Sequence, residues 1–108
     1  MTSADQTNPL VRVLAILKSA NEHKRWRQFD EAERLCRDAI EIARTELGED
    51  HHAHGTALCD LGYVLAETDR GHEAREAYSK ALDILVKTVG NNDSEVLWVF
   101  AHLHDLYR

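Results

Sequence analysis

Apolar side chains recur along most of the chain at intervals of three and four residues. Leu10, Val13, Leu14 and Leu17 form one such series. Ala32, Leu35, Cys36, Ala39, Ile40 and Ala43 form a second, and Ala74, Ala77, Tyr78, Ala81, Leu82 and Leu85 a third. This spacing lines one stripe of an α-helix. The punctuation between the series agrees with helices. Asn8-Pro9 opens the first: asparagine is a good N-cap, and proline is tolerated at the first helical position because its missing N–H would lack an intrahelical partner anyway. Gly48 and Gly90 follow the second and fourth segments, and are expected just past the helix ends in a left-handed conformation. A third helix is predicted from about 52 to 67. A fifth starts near Asp93 or Ser94, both good N-caps, and runs to the last residue. The pattern predicts five helices.

The helices come in pairs, and the pairs repeat. "DEAERLCRDAIEIARTELG", residues 30–48, aligns without a gap with "HEAREAYSKALDILVKTVG", residues 72–90, at an offset of 42 residues. Glu31/Glu73, Ala32/Ala74, Ala39/Ala81, Ile42/Ile84 and Gly48/Gly90 are identical. The offset extends outward to Ala15/Ala57, Ile16/Leu58, Leu58/Phe100 and Leu61/Leu103. A fixed period in this range marks stacked supersecondary units, none of which can bury its apolar face alone. Ala32, Ala39, Ala74 and Ala81 lie on the second helix of each pair, where a small side chain lets the paired helix come close. Cys36 and Tyr78 occupy the gap-filling position between them.

These features resemble the tetratricopeptide repeat, most closely its 42-residue kinesin-light-chain-like variety. The small-large-small pattern of that family falls on Ala32, Cys36 and Ala39 and on Ala74, Tyr78 and Ala81. Its Leu-Gly pair falls on Leu61-Gly62, where the first unit has Ser19-Ala20, and its inter-repeat loop falls on "LGEDH", Leu47 to His51. The resemblance covers residues 13–107. It implies an all-α fold of two and a half helix-turn-helix units, five helices in a right-handed stack, with residues 9–108 as one domain behind a disordered tail of residues 1–8. "SEVLWVFAHLHDLYR" then corresponds to the first helix of a third unit.

The resemblance also implies a function: a non-enzymatic scaffold that binds a protein or peptide on its concave face. By register that groove draws on Leu14, Leu17, Asn21 and Lys24, on Thr56, Cys59, Asp60, Tyr63 and Glu67, and on Trp98, Ala101, His102 and Asp105. Relatives place paired asparagines here to clamp peptide backbone; this chain has Cys59-Asp60 and Ala101-His102 instead. Two alternatives stand beside the scaffold: a small helical enzyme or ligand-binding protein using Cys59, Tyr63 and His102, and a self-assembly element.

Charge narrows the partners. Thirteen Lys and Arg face nineteen Asp and Glu, a net charge of −6. That excess argues against nucleic acid, which selects a basic surface, and against anionic membrane. No apolar run approaches the roughly 20 residues of a membrane span. Two cysteines are too few for a disulfide framework, so a reducing, cytoplasmic setting is expected.

Three remaining clusters carry residues with candidate chemistry. "DHHAHG" puts His51, His52 and His54 within four residues, but zinc wants about four ligands at fixed geometry. Asp50 or His51 is therefore expected to cap the third helix, with His52 and His54 on its solvated first turn, and neither a metal site nor a cofactor is expected. In "NEHKRWRQF", Lys24 and Arg25 complement the end of the first helix and Trp26 and Phe29 are expected under the turn; the alternative is a basic aromatic grip on phosphate or acidic peptide. The last helix is apolar over more than half its circumference. Trp98, Phe100, Leu103 and Tyr107 are expected to pair two copies into a homodimer, unless the chain is a piece of a longer array.

Overall fold

The computed structural model describes residues 8–107; most of the expected N-terminal tail, residues 1–7, lies outside the described residues. Five α-helices follow one another: α1 Pro9–Arg25, α2 Phe29–Ile42, α3 His52–Glu67, α4 Gly71–Val89 and α5 Ser94–Leu106. A single wide turn of π type, Ala43–Leu47, ends α2. No strand occurs among the described residues. The α1–α2 pair is the first unit, the α3–α4 pair the second, and α5 begins a third. The body measures 52 × 31 × 20 Å. No described helix is long and apolar enough to cross a membrane.

Side chains start three of the helices. Asn8 Oδ1 accepts from the amides of Leu10 and Val11 at 2.9 and 3.2 Å. His51 Nδ1 accepts from the Ala53 amide at 3.0 Å, and Asp93 Oδ1 from Glu95 at 2.8 Å. Each satisfies one or two of the amides that a helix start leaves without partners.

The ends of α2 and α4 need glycine for a different reason from the one expected. Gly48 (φ 115, ψ 150) and Gly90 (φ 90, ψ 169) do have positive φ, but they lie in the mirror image of the extended region rather than in the left-handed helical one. Only glycine enters that region readily. The turns inside the units carry left-handed residues that the sequence did not advertise. Arg27 (φ 57) and Asp69 (φ 64) occupy the same position of successive units. In both, the following amide reaches back five residues: Gln28 to His23 O and Arg70 to Leu65 O, each at 2.9 Å, the long bond of a Schellman motif.

Small residues set the packing. Ala20, Ala32, Ala39, Ala74 and Ala81 are fully buried, as are Cys36 and Tyr78 to within 1%. A Cβ on Gly55 would meet Ile84 and Leu85 of α4 at 3.1 Å, and one on Gly62 would meet the Tyr78 ring at 2.8 Å. Tyr78, Leu85, Val96 and Val99 continue the core from α4 into α5. Polar groups tie the second helices together: Arg70, in the α3–α4 turn, pairs with Glu33 of α2, and Arg37 reaches Glu73 at 3.9 Å. Trp26 does not pack under its turn; it is 75% exposed, while Phe29 is half-buried beneath the Arg27 guanidinium.

Candidate interaction face

The first helices of successive units, α1, α3 and α5, lie side by side and are laced by polar and aromatic contacts. Lys24 of α1 reaches Asp60 of α3 at 3.7 Å and sits 4.9 Å from the centroid of the Tyr63 ring. Tyr63 in turn lies 6.3 Å from Trp98 and 6.5 Å from His102 of α5. Trp98 and His102 stack at 3.6 Å with planes 23° apart, and His102 Nδ1 bonds the Trp98 carbonyl at 2.9 Å. The result is a continuous strip, ammonium to carboxylate to phenol to indole and imidazole, across three helices.

Glu95 is the joint that sequence reasoning missed. One carboxylate oxygen accepts from Thr56 Oγ1 at 2.8 Å and the other meets His52 Nε2 at 2.9 Å. Its partners lie 39 and 43 residues away, beyond any local pattern.

The strip is electrostatically uneven. Burial pushes the Asp60 carboxyl above its ordinary range, and Lys24 pulls it back only in part. Glu67 pairs with Arg27 at 4.0 Å. Tyr78 forms the floor beneath Trp98 and His102, at 6.1 and 6.2 Å between ring centroids. Its hydroxyl is buried with no hydrogen-bond partner among the described residues, and burial raises its pKa.

Most of the expected groove residues meet here. Lys24, Asp60, Tyr63, Trp98 and His102 form the strip, and Thr56 and Glu67 flank it through their own partners. Leu14 and Asn21 are exposed on α1, and Ala101 and Asp105 on α5. Leu17 and Cys59 correct the expectation: at 4% and 5% exposure they belong to the core. One helical position turns a side chain by about 100°, so on α1 and α3 a buried residue directly precedes a groove residue, as Ala20 precedes Asn21 and Cys59 precedes Asp60.

The same geometry undercuts a Cys59–His102 nucleophile. Burial drives the Cys59 thiol pKa upward, where a reactive cysteine needs it lowered. The histidines of the α2–α3 loop divide rather than converge. His51 caps α3, His52 meets Glu95, and His54 bonds the Glu49 carbonyl at 2.7 Å. His54 is 8% exposed, not solvated as expected, because the loop folds over it. Among the described residues no group of three or more His, Cys, Asp or Glu is placed to hold a metal ion.

The four residues expected to pair two copies also separate. Trp98 turns toward Tyr63 and Leu103 packs on the core, while Phe100 and Tyr107 stay 52% and 69% exposed.

Residues 23–87 match the family model described as tetratricopeptide repeat. Two curated relatives, both named amyloid protein-binding protein 2, from Rattus norvegicus and Mus musculus, are each 31% identical over 70 residues. Those matches cover 65% of this chain and 12% of the relatives, so the chain spans a small part of their length. Among solved structures, BtubC (BKLC) from P. vanneervenii superposes with a TM-score of 0.86 at 21% identity, over 93% of this chain and 39% of that one. At that identity the likeness is one of fold.

Proposed function

Because the chain belongs to the tetratricopeptide repeat family, we propose that it is a non-enzymatic scaffold whose α1–α3–α5 face, the concave side of the stack, binds an extended segment of a protein partner. The family's repeats act in general as protein-interaction scaffolds. The observation that carries the reading is the strip from Lys24 through Asp60 and Tyr63 to Trp98 and His102. It presents a partly exposed indole and phenol beside a carboxylate that burial has left poorly solvated. Trp98 is 39% exposed. An aromatic face attracts a cation, and an underhydrated carboxylate gains from a donor. Both favour a partner with a lysine or arginine side chain, and the net charge of −6 steers such a partner inward.

A cytoplasmic setting is part of the same proposal, since Cys36 and Cys59 are both free and buried. Catalysis through Cys59, Tyr63 and His102 loses support from the buried thiol and from the bond that occupies His102 Nδ1.

The test is an array of unstructured peptides of varied charge, probed with the purified protein. Basic peptides should be selected, and selection should fail for Trp98→Ala combined with Asp60→Asn while the circular dichroism spectrum stays helical. Preference for acidic peptides, or equal binding by parent and variant, would overturn it.

A further inference from the structure

We infer that α5 carries a second interaction surface, on the side away from the peptide strip, and that its occupant is another copy of this chain laid antiparallel across it. The inference is independent of the peptide-binding reading, because it uses different residues.

The surface is defined by register. Gly55, Leu58, Gly62 and Leu65 of α3 are all buried, and α4 covers them: Ile84 and Leu85 lie over Gly55, Tyr78 over Gly62. Val13, Ile16, Ala20 and His23 hold the same four positions on α1. On α5 the positions are Leu97, Phe100, His104 and Tyr107, and none of them is buried; the Arg75 guanidinium lies 5.3 Å from the centroid of the Tyr107 ring but leaves most of it exposed. Leu97 is 54% exposed, Phe100 52% and Tyr107 69%, and His104 is exposed as well. Monomers rarely leave so contiguous an apolar face in water.

The side chains say what does not cover it. The third position is Ala20 in one unit and Gly62 in the next, because a helix of the α4 kind approaches so closely that a Cβ at Gly62 would already lie 2.8 Å from the Tyr78 ring. His104 puts an imidazole there. A helix packed at the α4 distance has no room. The occupant has to sit farther out, against large side chains.

A second α5 meets that requirement. Leu97, Phe100, His104 and Tyr107 are spaced three, four and three residues apart, the a/d seam of helices that pack knobs into holes. The seam is palindromic in spacing about position 102. With two antiparallel copies related by a two-fold axis, Leu97 faces Tyr107 of the second copy and Phe100 faces its His104. A two-fold interface must be self-complementary in this way.

The rims agree. Beside Phe100 is a hollow of about 760 Å³ whose lining includes Leu82, Asp83, Val86 and Lys87. Beside Tyr107 is one of about 490 Å³ whose lining includes Arg75, Glu76 and Lys80. The antiparallel arrangement brings the first against the second, mixed charges of both signs on each side. Each copy contributes a helix of 13 residues, about 20 Å long. That sets an interface at the small end for specific contacts, on the order of 1,000 Å² in total, so pairing is reversible.

Sedimentation equilibrium of the 108-residue chain across roughly 1–500 μM should show a monomer of 12.3 kDa converting to a dimer. Phe100→Glu and Tyr107→Glu should each abolish the dimer and leave the helical spectrum of the monomer unchanged, since both side chains are more than half exposed and a glutamate at 107 can still meet Arg75. Trp98→Ala, on the peptide strip, should leave it intact. Under mild oxidation, Leu97→Cys mixed with Tyr107→Cys should give a disulfide-linked pair, which neither gives alone; Cys36 and Cys59 are buried and do not compete. A monomer at every concentration, a dimer indifferent to Phe100→Glu, or Leu97→Cys linking to itself as readily as to Tyr107→Cys would each overturn the inference.

Discussion

Gly62 of α3 and the ring of Tyr78 of α4 are packed so closely that a single added methyl would sit 2.8 Å from two ring carbons. The equivalent pair in the first unit is Ala20 and Cys36, both fully buried. Glycine faces the large side chain and alanine the small one, so each unit conserves volume across the same contact. Gly62→Ala is expected to destabilise by about 1–3 kcal/mol, because the gain in helix propensity, roughly 1 kcal/mol, does not offset a clash with a ring that cannot move. Gly55→Ala should be near neutral, since the ends of Ile84 and Leu85 can shift. Tyr78→Phe should cost nothing or stabilise slightly, as the lost hydroxyl has no partner. Urea denaturation separates the three; a Gly62→Ala variant as stable as the parent would show that the α3–α4 pair can relax apart.

Ala39 and Ala81, fully buried, hold the close approach of the second helices. Leucine at either site should lower stability by about 1–3 kcal/mol, because both alanines are fully buried and the added bulk must displace packed neighbours. Thermal melts within error of the parent would mean that these helices pack on other faces.

The helices were legible because their signals are local. The three-and-four spacing, Asn8-Pro9, Asp93 and the paired glycines each act within a turn or two, and the 42-residue period added pairing. What failed depends on tertiary contact. Leu17 and Cys59 differ by one position from Lys18 and Asp60, and only the tilt of packed helices decides which points inward. His54 looked solvated because nothing nearby in sequence reveals that Glu49's carbonyl folds over it. Arg27 adopts positive φ with no residue-type signal, whereas aspartate at the equivalent Asp69 tolerates the left-handed region, and their shared place in the repeat was a clue. Glu95 was invisible as a joint because both its partners belong to the preceding unit.

Glu33 is held below its ordinary carboxyl range, chiefly by the hydrogen bond from Arg70 and further by Arg37. A lowered folded-state pKa stabilises the fold above the unfolded value near 4.5, and that contribution disappears as pH falls through the lower folded value. Glu33→Gln should therefore cost about 1 kcal/mol at neutral pH, a modest figure because Arg70 is 37% exposed and screened. The gap between variant and parent should close below pH 4.5. Asp60 works in the opposite sense, its raised value making the folded state the better proton binder. A gap that persists unchanged in acid would show that Glu33 acts through packing alone.

Both cysteines should be chemically silent in the folded protein. Burial pushes the Cys36 thiol up to about 12 and the Cys59 thiol in the same direction, and the thiolate is the reactive form. Iodoacetamide at pH 8 should label neither until denaturant is added, when both react. Rapid labelling of Cys59 in the native state would revive a nucleophilic role for it.

Glu95 fixes how α5 docks, and its loss should be felt locally. Its two oxygens hold Thr56 and His52, so both links from the head of α5 to α3 pass through one carboxylate. The side chain is about one-quarter exposed, and each link is worth roughly 0.5–1.5 kcal/mol at such a site. The core beneath, Val96 and Val99, is unaffected by the substitution and keeps α5 helical. Glu95→Ala should then loosen α5 without loosening α1 to α4. Amide exchange in α5 should speed up by about 5- to 30-fold, corresponding to about 1–2 kcal/mol, while protection in α3 and α4 stays at the parental level. Glu95→Gln, which can still accept from Thr56, should fall between the two. A uniform loss of protection through all five helices would instead make Glu95 part of the global fold rather than the latch of its last helix.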